Sequence, residues 1–301
     1  MNSKGTEELT WLDRMMNALE YLESSLDGEV DINAASRIAC SSTFHFQRMF
    51  HLLTGVTVSD YVRKRRLSLA AQELASSSIK VIDVAMKYDY DTPEAFCKAF
   101  RKAHGITPSA ARLPGTKLKL FPRLSFHISL KGDKDMDYRI VEKEAFSVVG
   151  KALTMPYTND ENLILIPEFW QKSTRNGTLS QLESMMSGKG KLGSAILGVC
   201  IEFKSDPQEF TYVIGVQGGP EQVPQGLVRK EISAATWAAF ECVGALPDAI
   251  QALWARVFSE FFPATGFNHA EGGADVEVYP SGNVQDENYK CEVWIPVVKK
   301  T

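Results

Sequence analysis

Residues 38–55 read IACSSTFHFQRMFHLLTG, and residues 88–105 read YDYDTPEAFCKAFRKAHG. Laid over each other at an offset of fifty, Ser42 meets Thr92, Phe46 meets Phe96, Arg48 meets Lys98, Phe50 meets Phe100 and Gly55 meets Gly105. The match runs on through Ile32 with Ile82, Ala35 with Ala85, Arg37 with Lys87 and Thr57 with Thr107. Each copy reads as a short apolar helix, a tight polar turn, a hydroxyl N-cap and a second helix stopped by Gly. A repeat of that layout predicts two helix-turn-helix units.

Helical geometry separates what each second helix buries from what it presents. Phe46, Met49, Phe50 and Leu53 form an apolar stripe in the first copy, and Phe96, Ala99, Phe100 and Ala103 in the second. Phe44, Gln47, Arg48 and His51 project to the opposite side of the first, and Glu94, Cys97, Lys98 and Arg101 to that of the second. Guanidinium, amide and aromatic groups on one face suit the major groove of double-stranded DNA. Arg pairs with guanine, Gln with adenine, and Phe packs on the thymine methyl. Ser42, Thr43 and Thr92, at the starts of these helices, join the residues expected at the DNA.

Between the copies, Val58 to Ser76 contains no Gly or Pro and carries two apolar sides. Val58, Tyr61, Val62 and Leu69 mark one, and Leu67, Ala70, Ala71 and Leu74 the other, as a spacer helix packed on both units requires. At ~1.5 Å per residue it reaches ~28 Å, near the ~34 Å between successive major-groove faces. Arg63 and Lys64 in its basic run are expected at phosphates, while Arg65 projects to the apolar side.

The net charge of −4 does not oppose this reading, because the charge is unevenly placed. Residues 7–31 hold eight acidic residues and one Arg, whereas residues 37–66 hold six Arg or Lys and only Asp60. Local basic surface, not whole-chain charge, meets phosphate. No apolar run approaches the ~18–20 residues of a membrane span, and nothing marks the N-terminus for export. The five cysteines are scattered without metal-ligand spacing, so they are expected as reduced thiols in a cytoplasm, with no metal.

These features resemble the DNA-binding domain of the AraC/XylS family of bacterial regulators. The resemblance is carried by residues 38–55, by YVRKRRL (Tyr61 to Leu67) and by FCKAFRKAHGITPSAAR (Phe96 to Arg112). It implies an all-α domain over 8–112 and binding near promoters, usually as an activator that recruits RNA polymerase. It also implies that Phe44, Gln47 and Arg48 read bases in the first unit, and Glu94, Ala95 and Lys98 in the second. The second set has less donor chemistry, so the first unit is expected to specify the site.

Residues 113–136 are expected as a linker. Beyond it, strands are expected over Tyr138 to Leu153, Ala195 to Phe203 and Phe210 to Gln217, with a helix near Ile166 to Arg175. A second β-α-β-β unit follows: strands Leu227 to Val243, Asp275 to Tyr279 and Lys290 to Val298, and a helix Pro247 to Phe262. The expected domain is α+β, an antiparallel sheet with helices on one side and a cleft on the other. Alternation along the last strand sets Glu292 and Trp294 on one face and Cys291, Val293 and Ile295 on the other. A carboxylate beside an aromatic suits a bulky cation. Phe169, Trp170, Tyr212 and Trp237 are the aromatics expected to line that site.

This half resembles the GyrI-like effector-binding domains over about 137–299. DYRIVEKEAFSVVG, IPEFW and EVWIPV carry the likeness, in that order along the chain. It implies an amphipathic, frequently cationic, small-molecule effector with Glu292 at the pocket centre. Two alternatives stay open: hydrolysis of a reactive ligand, as in some GyrI-like folds, or a protein-interaction module. No Ser/His/Asp order or P-loop supports catalysis, and His127 and His269 stand alone. The chain is expected not to be an enzyme and to use no cofactor.

Overall fold

The computed structural model describes residues 11–125, 135–158 and 161–300. Residues 8–10 of the expected first domain, and 126–134 of the expected linker with His127, lie outside the described residues. The chain divides into two compact units, Met1–Ser129 and Leu130–Thr301.

The first unit is helical: α1 (Trp11–Ser24), α2 (Ile32–Ile38), α3 (Thr43–Thr54), α4 (Val58–Ser76), α5 (Val81–Lys87) and α6 (Pro93–His104). The caps fall where the repeat predicts. Ser42 accepts from the His45 amide and Thr92 from that of Ala95, and Gly55 and Gly105 close α3 and α6 in the left-handed conformation. The spacer helix α4 packs on both sides. Tyr61 meets the Phe50 ring at 5.5 Å, while Leu67, Ala70, Ala71 and Leu74 join one cluster with Val84, Ala85, Phe96 and Phe100.

Fifty is the offset between the second helices only. Through the first helix and turn the structure repeats at forty-nine: buried Ala35 and Ala39 correspond to buried Val84 and Tyr88. Left-handed Cys40 corresponds to Asp89, and the Ser41 N–H to Ser36 O bond to Tyr90 N–H to Ala85 O. The second turn therefore holds one more residue before α6. Burial and turn geometry set this alignment, and residue identity alone does not show it.

Arg65 is the buried cation of the spacer, as its projection implied. Its Nε and Nη2 donate to both oxygens of Glu23 at 2.9 and 2.8 Å, and Tyr61 donates to the same carboxylate. Burial alone would push the Glu23 carboxyl up, but donation from Arg65 and Tyr61 holds it below its ordinary value. The stretch read as the start of a linker lies along α4 instead. Lys119 N–H donates to His104 Nδ1 at 3.2 Å, Phe121 N–H to Ser68 Oγ at 2.8 Å, and Leu124 N–H to the Tyr61 hydroxyl at 3.2 Å. Arg65 Nη1 also donates to Phe121 O at 2.8 Å.

The second unit opens with β1 (Tyr138–Lys143) and β2 (Phe146–Pro156), followed by α7 (Glu161–Arg175), α8 (Thr178–Glu183) and α9 (Gly190–Gly193). Next come β3 (Ala195–Ser205), β4 (Gln208–Gln217), β5 (Val228–Ile232) and β6 (Ala235–Val243). Helix α10 (Asp248–Arg256) passes through a π-helical turn, Val257–Phe261, into α11 (Phe262–Ala264). Strands β7 (Phe267–His269), β8 (Asp275–Pro280) and β9 (Lys290–Lys299) complete the unit.

All pairings are antiparallel, in the order β1-β6-β9-β8-β3-β4-β2-β5. The expected long strands at 138–153 and 227–243 are each interrupted, at Glu144–Ala145 and at Ser233–Ala234. Their mutual register nevertheless continues unbroken: Lys143 faces Ala235 and Phe146 faces Ile232. With β6 joined to β9 and β2 to β4, the ladder returns to its start, so the sheet is a ring of strands rather than an open layer.

Register assigns each side chain to one side of that ring. Val148, Leu197, Val199, Val213, Trp237, Ala239, Val276, Val278 and Trp294 share one face and pack as a single cluster drawn from around the whole ring. The face expected to carry an open cleft is thus the ring's interior, filled by this cluster apart from a groove of about 490 Å³ at one end, bordered by Lys191, Glu241, Val278 and Glu292.

Candidate functional site

Helices α7 and α10 meet the other, outward face of the sheet, and a carboxylate stands at the centre of what they bring there. Glu277 on β8 is opposite Gly198 on β3 and Val293 on β9. Its Oε1 accepts from the Trp254 indole of α10 at 2.9 Å. Its Oε2 accepts from the Tyr279 hydroxyl at 2.9 Å and the Tyr212 hydroxyl at 3.4 Å. Trp170 of α7 donates to Tyr212 at 3.0 Å and meets the Tyr279 ring edge-on at 5.2 Å. Phe169 packs edge-on against Tyr212 at 6.5 Å. Burial, then the Glu277 charge, pushes the Tyr279 phenol above its ordinary value, so it remains a donor.

Three of the expected ligand aromatics, Phe169, Trp170 and Tyr212, therefore gather here, but not around Glu292. Glu292 faces Val278 across the ladder, on the ring's interior side, with Trp294 and Trp237. There it is 6% exposed and already occupied: Arg139 and Lys191 form ion pairs with it, and Trp294 Nε1 donates at 2.8 Å. The Arg139 guanidinium also lies over the Trp294 ring at 5.5 Å. Burial pushes the Glu292 carboxyl up, and donation from Arg139, Lys191 and Trp294 more than reverses that. Alternation along β9 placed Glu292 with Trp294 correctly, but it could not say which face the helices cover. Glu277 was missed, although the same alternation in DVEVY, residues 275–279, sets Asp275, Glu277 and Tyr279 together. His269 is not alone: it pairs with Asp275 at 3.0 Å.

In the helical unit the two expected reading faces differ. Thr92, Glu94, Ala95, Lys98 and Arg101 are all exposed, and Cys97 is half-buried. In the first copy Phe44 and Gln47 are buried, at 3% and 6%, contrary to their expected exposure, while Arg48 and His51 are half-buried. Projection fixes a side chain's angle about its helix, not what packs at that angle; the Phe44 ring, for one, meets His45 edge-on at 5.2 Å. Thr43 is buried too, and its hydroxyl is used inside the unit, donating to Asn33 Oδ1 at 2.8 Å and sharing a bond with Ser36. Ser42 caps α3 and bonds His45 Nδ1 at 2.7 Å. Arg63 and Lys64 both pair with Asp60, exposed contacts that leave their charges near the surface.

Comparison with known proteins places both units. Residues 35–113 match the helix-turn-helix domain family, and residues 136–298 match the GyrI-like small molecule binding domain family. Over 98 residues the chain is 34% identical to the HTH-type transcriptional activator AarP of Providencia stuartii, a match covering 33% of this chain and 73% of AarP. Over 94 residues it is 33% identical to the regulatory protein SoxS of Salmonella typhimurium, covering 31% of this chain and 88% of SoxS. The chain belongs to the AraC family of DNA-binding transcriptional regulators and carries a GyrI-like small-molecule-binding domain. A solved structure of SAV2435 bound to tetraphenylphosphonium is also similar, with 24% identity and a TM-score of 0.48, over 54% of the regulator and 94% of that chain. No helix among the described residues of the regulator is long and apolar enough to cross a membrane.

Proposed function

We propose that the regulator is a transcriptional activator that responds to an amphipathic cationic molecule held at Glu277. The Glu277 carboxylate, ringed by Trp254, Tyr279 and Tyr212, carries this reading. An anion among aromatic rings attracts a bulky cation both by charge and through cation–π contact, while apolar ligand surface packs on the rings. Residues 8–112 are assigned to DNA and 137–299 to the ligand. Activation, with RNA polymerase as the partner, follows the similarity to an activator over the DNA-binding part. Such a regulator acts in the bacterial cytoplasm, where promoters are.

The DNA reading draws on both copies. The second presents Lys98 and Arg101 in the open. In the first, Gln47 Nε2 and His51 Nδ1 are enclosed and have no hydrogen-bond partner. Polar atoms of that kind are costly to leave unmatched, and both side chains would have to turn outward before a base edge in the major groove could satisfy them.

Calorimetric titration of the full chain with tetraphenylphosphonium, against neutral triphenylphosphine oxide, tests the ligand site. The cation should bind saturably and the oxide should not. Glu277→Gln should weaken binding at least tenfold, with Glu292→Gln changing it less than twofold. The opposite pattern would return the site to Glu292 and sink the assignment. For DNA, a gel shift on fragments upstream of the regulator's own reading frame should show salt-dependent binding, and run-off transcription with RNA polymerase should rise with it.

A further inference from the structure

Cys242 on β6 and Cys291 on β9 stand directly opposite each other in the antiparallel register. Opposed residues in such a ladder hold their Cα atoms about 4.5–5.5 Å apart, within the ~4.4–6.8 Å that a disulfide spans. Both side chains lie on the outward face that carries Glu277, since Cys291 is two residues from Val293, the partner of Glu277. Neither is bridged. The remaining cysteines have other settings: Cys40 is exposed, Cys97 half-buried, and Cys200 faces Tyr212 and Asp275.

We infer that Cys242 and Cys291 form a reversible dithiol switch, closing to a cross-strand disulfide on contact with a peroxide and reopening with a thiol reductant. The pair is asymmetric in a way that orders the chemistry. The adjoining Cys291 thiol holds Cys242 below its ordinary value, while Cys242 and burial push Cys291 up. Cys242 is thus the thiolate-forming partner and the first nucleophile.

The Cys242 thiolate attacks one peroxide oxygen and breaks the O–O bond, giving a sulfenic acid and a hydroxide, which takes up the proton released by Cys242 and leaves as water. The Cys291 sulfur then attacks the sulfenic sulfur. The S–S bond forms, the S–O bond breaks, and the departing hydroxide takes the Cys291 proton as a second water. Two electrons pass from the two sulfurs to the peroxide, so the step balances. Both thiols are buried on that face, Cys242 4% and Cys291 1% exposed, so peroxide reaches them through local opening of the strand ends, where the pairing of β6 with β9 stops at Val243 and Lys290.

The test uses the reduced full chain, exposed to stoichiometric hydrogen peroxide, denatured, and alkylated. Two of its five thiols should become protected, with a mass loss of two hydrogens and a linked peptide containing Cys242 and Cys291. Dithiothreitol should restore all five. Cys242 should oxidise at least tenfold faster than Cys200. In Cys291→Ser, dimedone should trap a sulfenic acid at Cys242, and in Cys242→Ser it should trap none at Cys291. Five alkylatable thiols after peroxide, protection confined to Cys40 or Cys97, or separate over-oxidation of Cys242 and Cys291 without a link would each overturn the inference.

Discussion

Gly198 stands directly opposite Glu277 in the β3–β8 pair, and a methyl group placed on it would lie 2.3 Å from the Tyr212 hydroxyl and 3.3 Å from Glu277 Oε2. The missing side chain is the space in which the phenol reaches the carboxylate. Gly198→Ala should destabilise the second unit by about 1–3 kcal/mol, the usual cost of overpacking. Adding Tyr212→Phe, which removes the atom nearest the clash, should recover part of that loss. Urea unfolding of the single and double variants measures both; a double variant no more stable than Gly198→Ala alone would show that the clash lies elsewhere.

Arg65 and Glu23 make a buried two-pronged pair, with side chains 10% and 9% exposed. Deleting one partner strands the other charge, so Arg65→Ala should cost about 3–5 kcal/mol of the first unit's stability. Arg65→Lys should recover little, because an ammonium cannot serve Glu23 through two prongs while also reaching Phe121 O. Chemical denaturation followed by far-ultraviolet circular dichroism reports the helical unit and decides between these outcomes.

His104 makes the first unit sensitive to mild acid. Its Nδ1 accepts from Lys119 N–H, so Nε2 carries the proton and donates to Leu67 O at 3.1 Å. Burial, aided by Lys119, holds the ring below its ordinary value of 6.5 and outweighs the bond to Leu67. The unfolded chain therefore takes up a proton that the folded one refuses. Stability is complete above pH 6.5 and declines as pH falls from there toward the lowered folded value, by at most about 1.4 kcal/mol per pH unit. Denaturant midpoints at pH 7.5 and 5.5 should diverge in the wild type and draw together in His104→Gln; an equal shift in both would assign the acid sensitivity to other groups.

Lys98 and Arg101 are exposed on α6. If they contact phosphate, each alanine substitution should weaken binding to every sequence alike and shallow the log–log salt dependence by about one ion. Arg48→Ala should instead flatten the preference among sequences. Competition gel shifts over a salt series separate the two effects, and a loss confined to one sequence for Lys98→Ala would return that residue to the base-reading role implied by the family resemblance.

Much of the first unit was readable because its signals are local. Ser42, Thr92, Gly55 and Gly105 act within one turn of chain, so their types alone mark where α3 and α6 begin and end. The extra residue before α6 was not readable, since Ile82 matching Ile32 conceals a turn whose length only packing reveals. In the second unit, alternation paired Glu292 with Trp294 and drew both long strands at nearly full length. It carried no information about closure. A strand's period says which side chains travel together, and only the ladder says which side is inside; that is why alternation led to Glu292 and passed over Glu277. The burial of Phe44 and Gln47 belongs to the same class, because a helical wheel contains no neighbours.

The unbroken register from Lys143–Ala235 into Phe146–Ile232 has a consequence for how this unit behaves among other chains. Strand borders ordinarily expose a row of unsatisfied amides and carbonyls onto which a foreign strand can zip. Here β1 and β2 spend those groups on β6 and β5. What remains at the rim among the described residues is chiefly β7, three residues long. The domain should consequently tolerate high concentration, and fusion to unrelated partners, without recruiting copies of itself through backbone pairing.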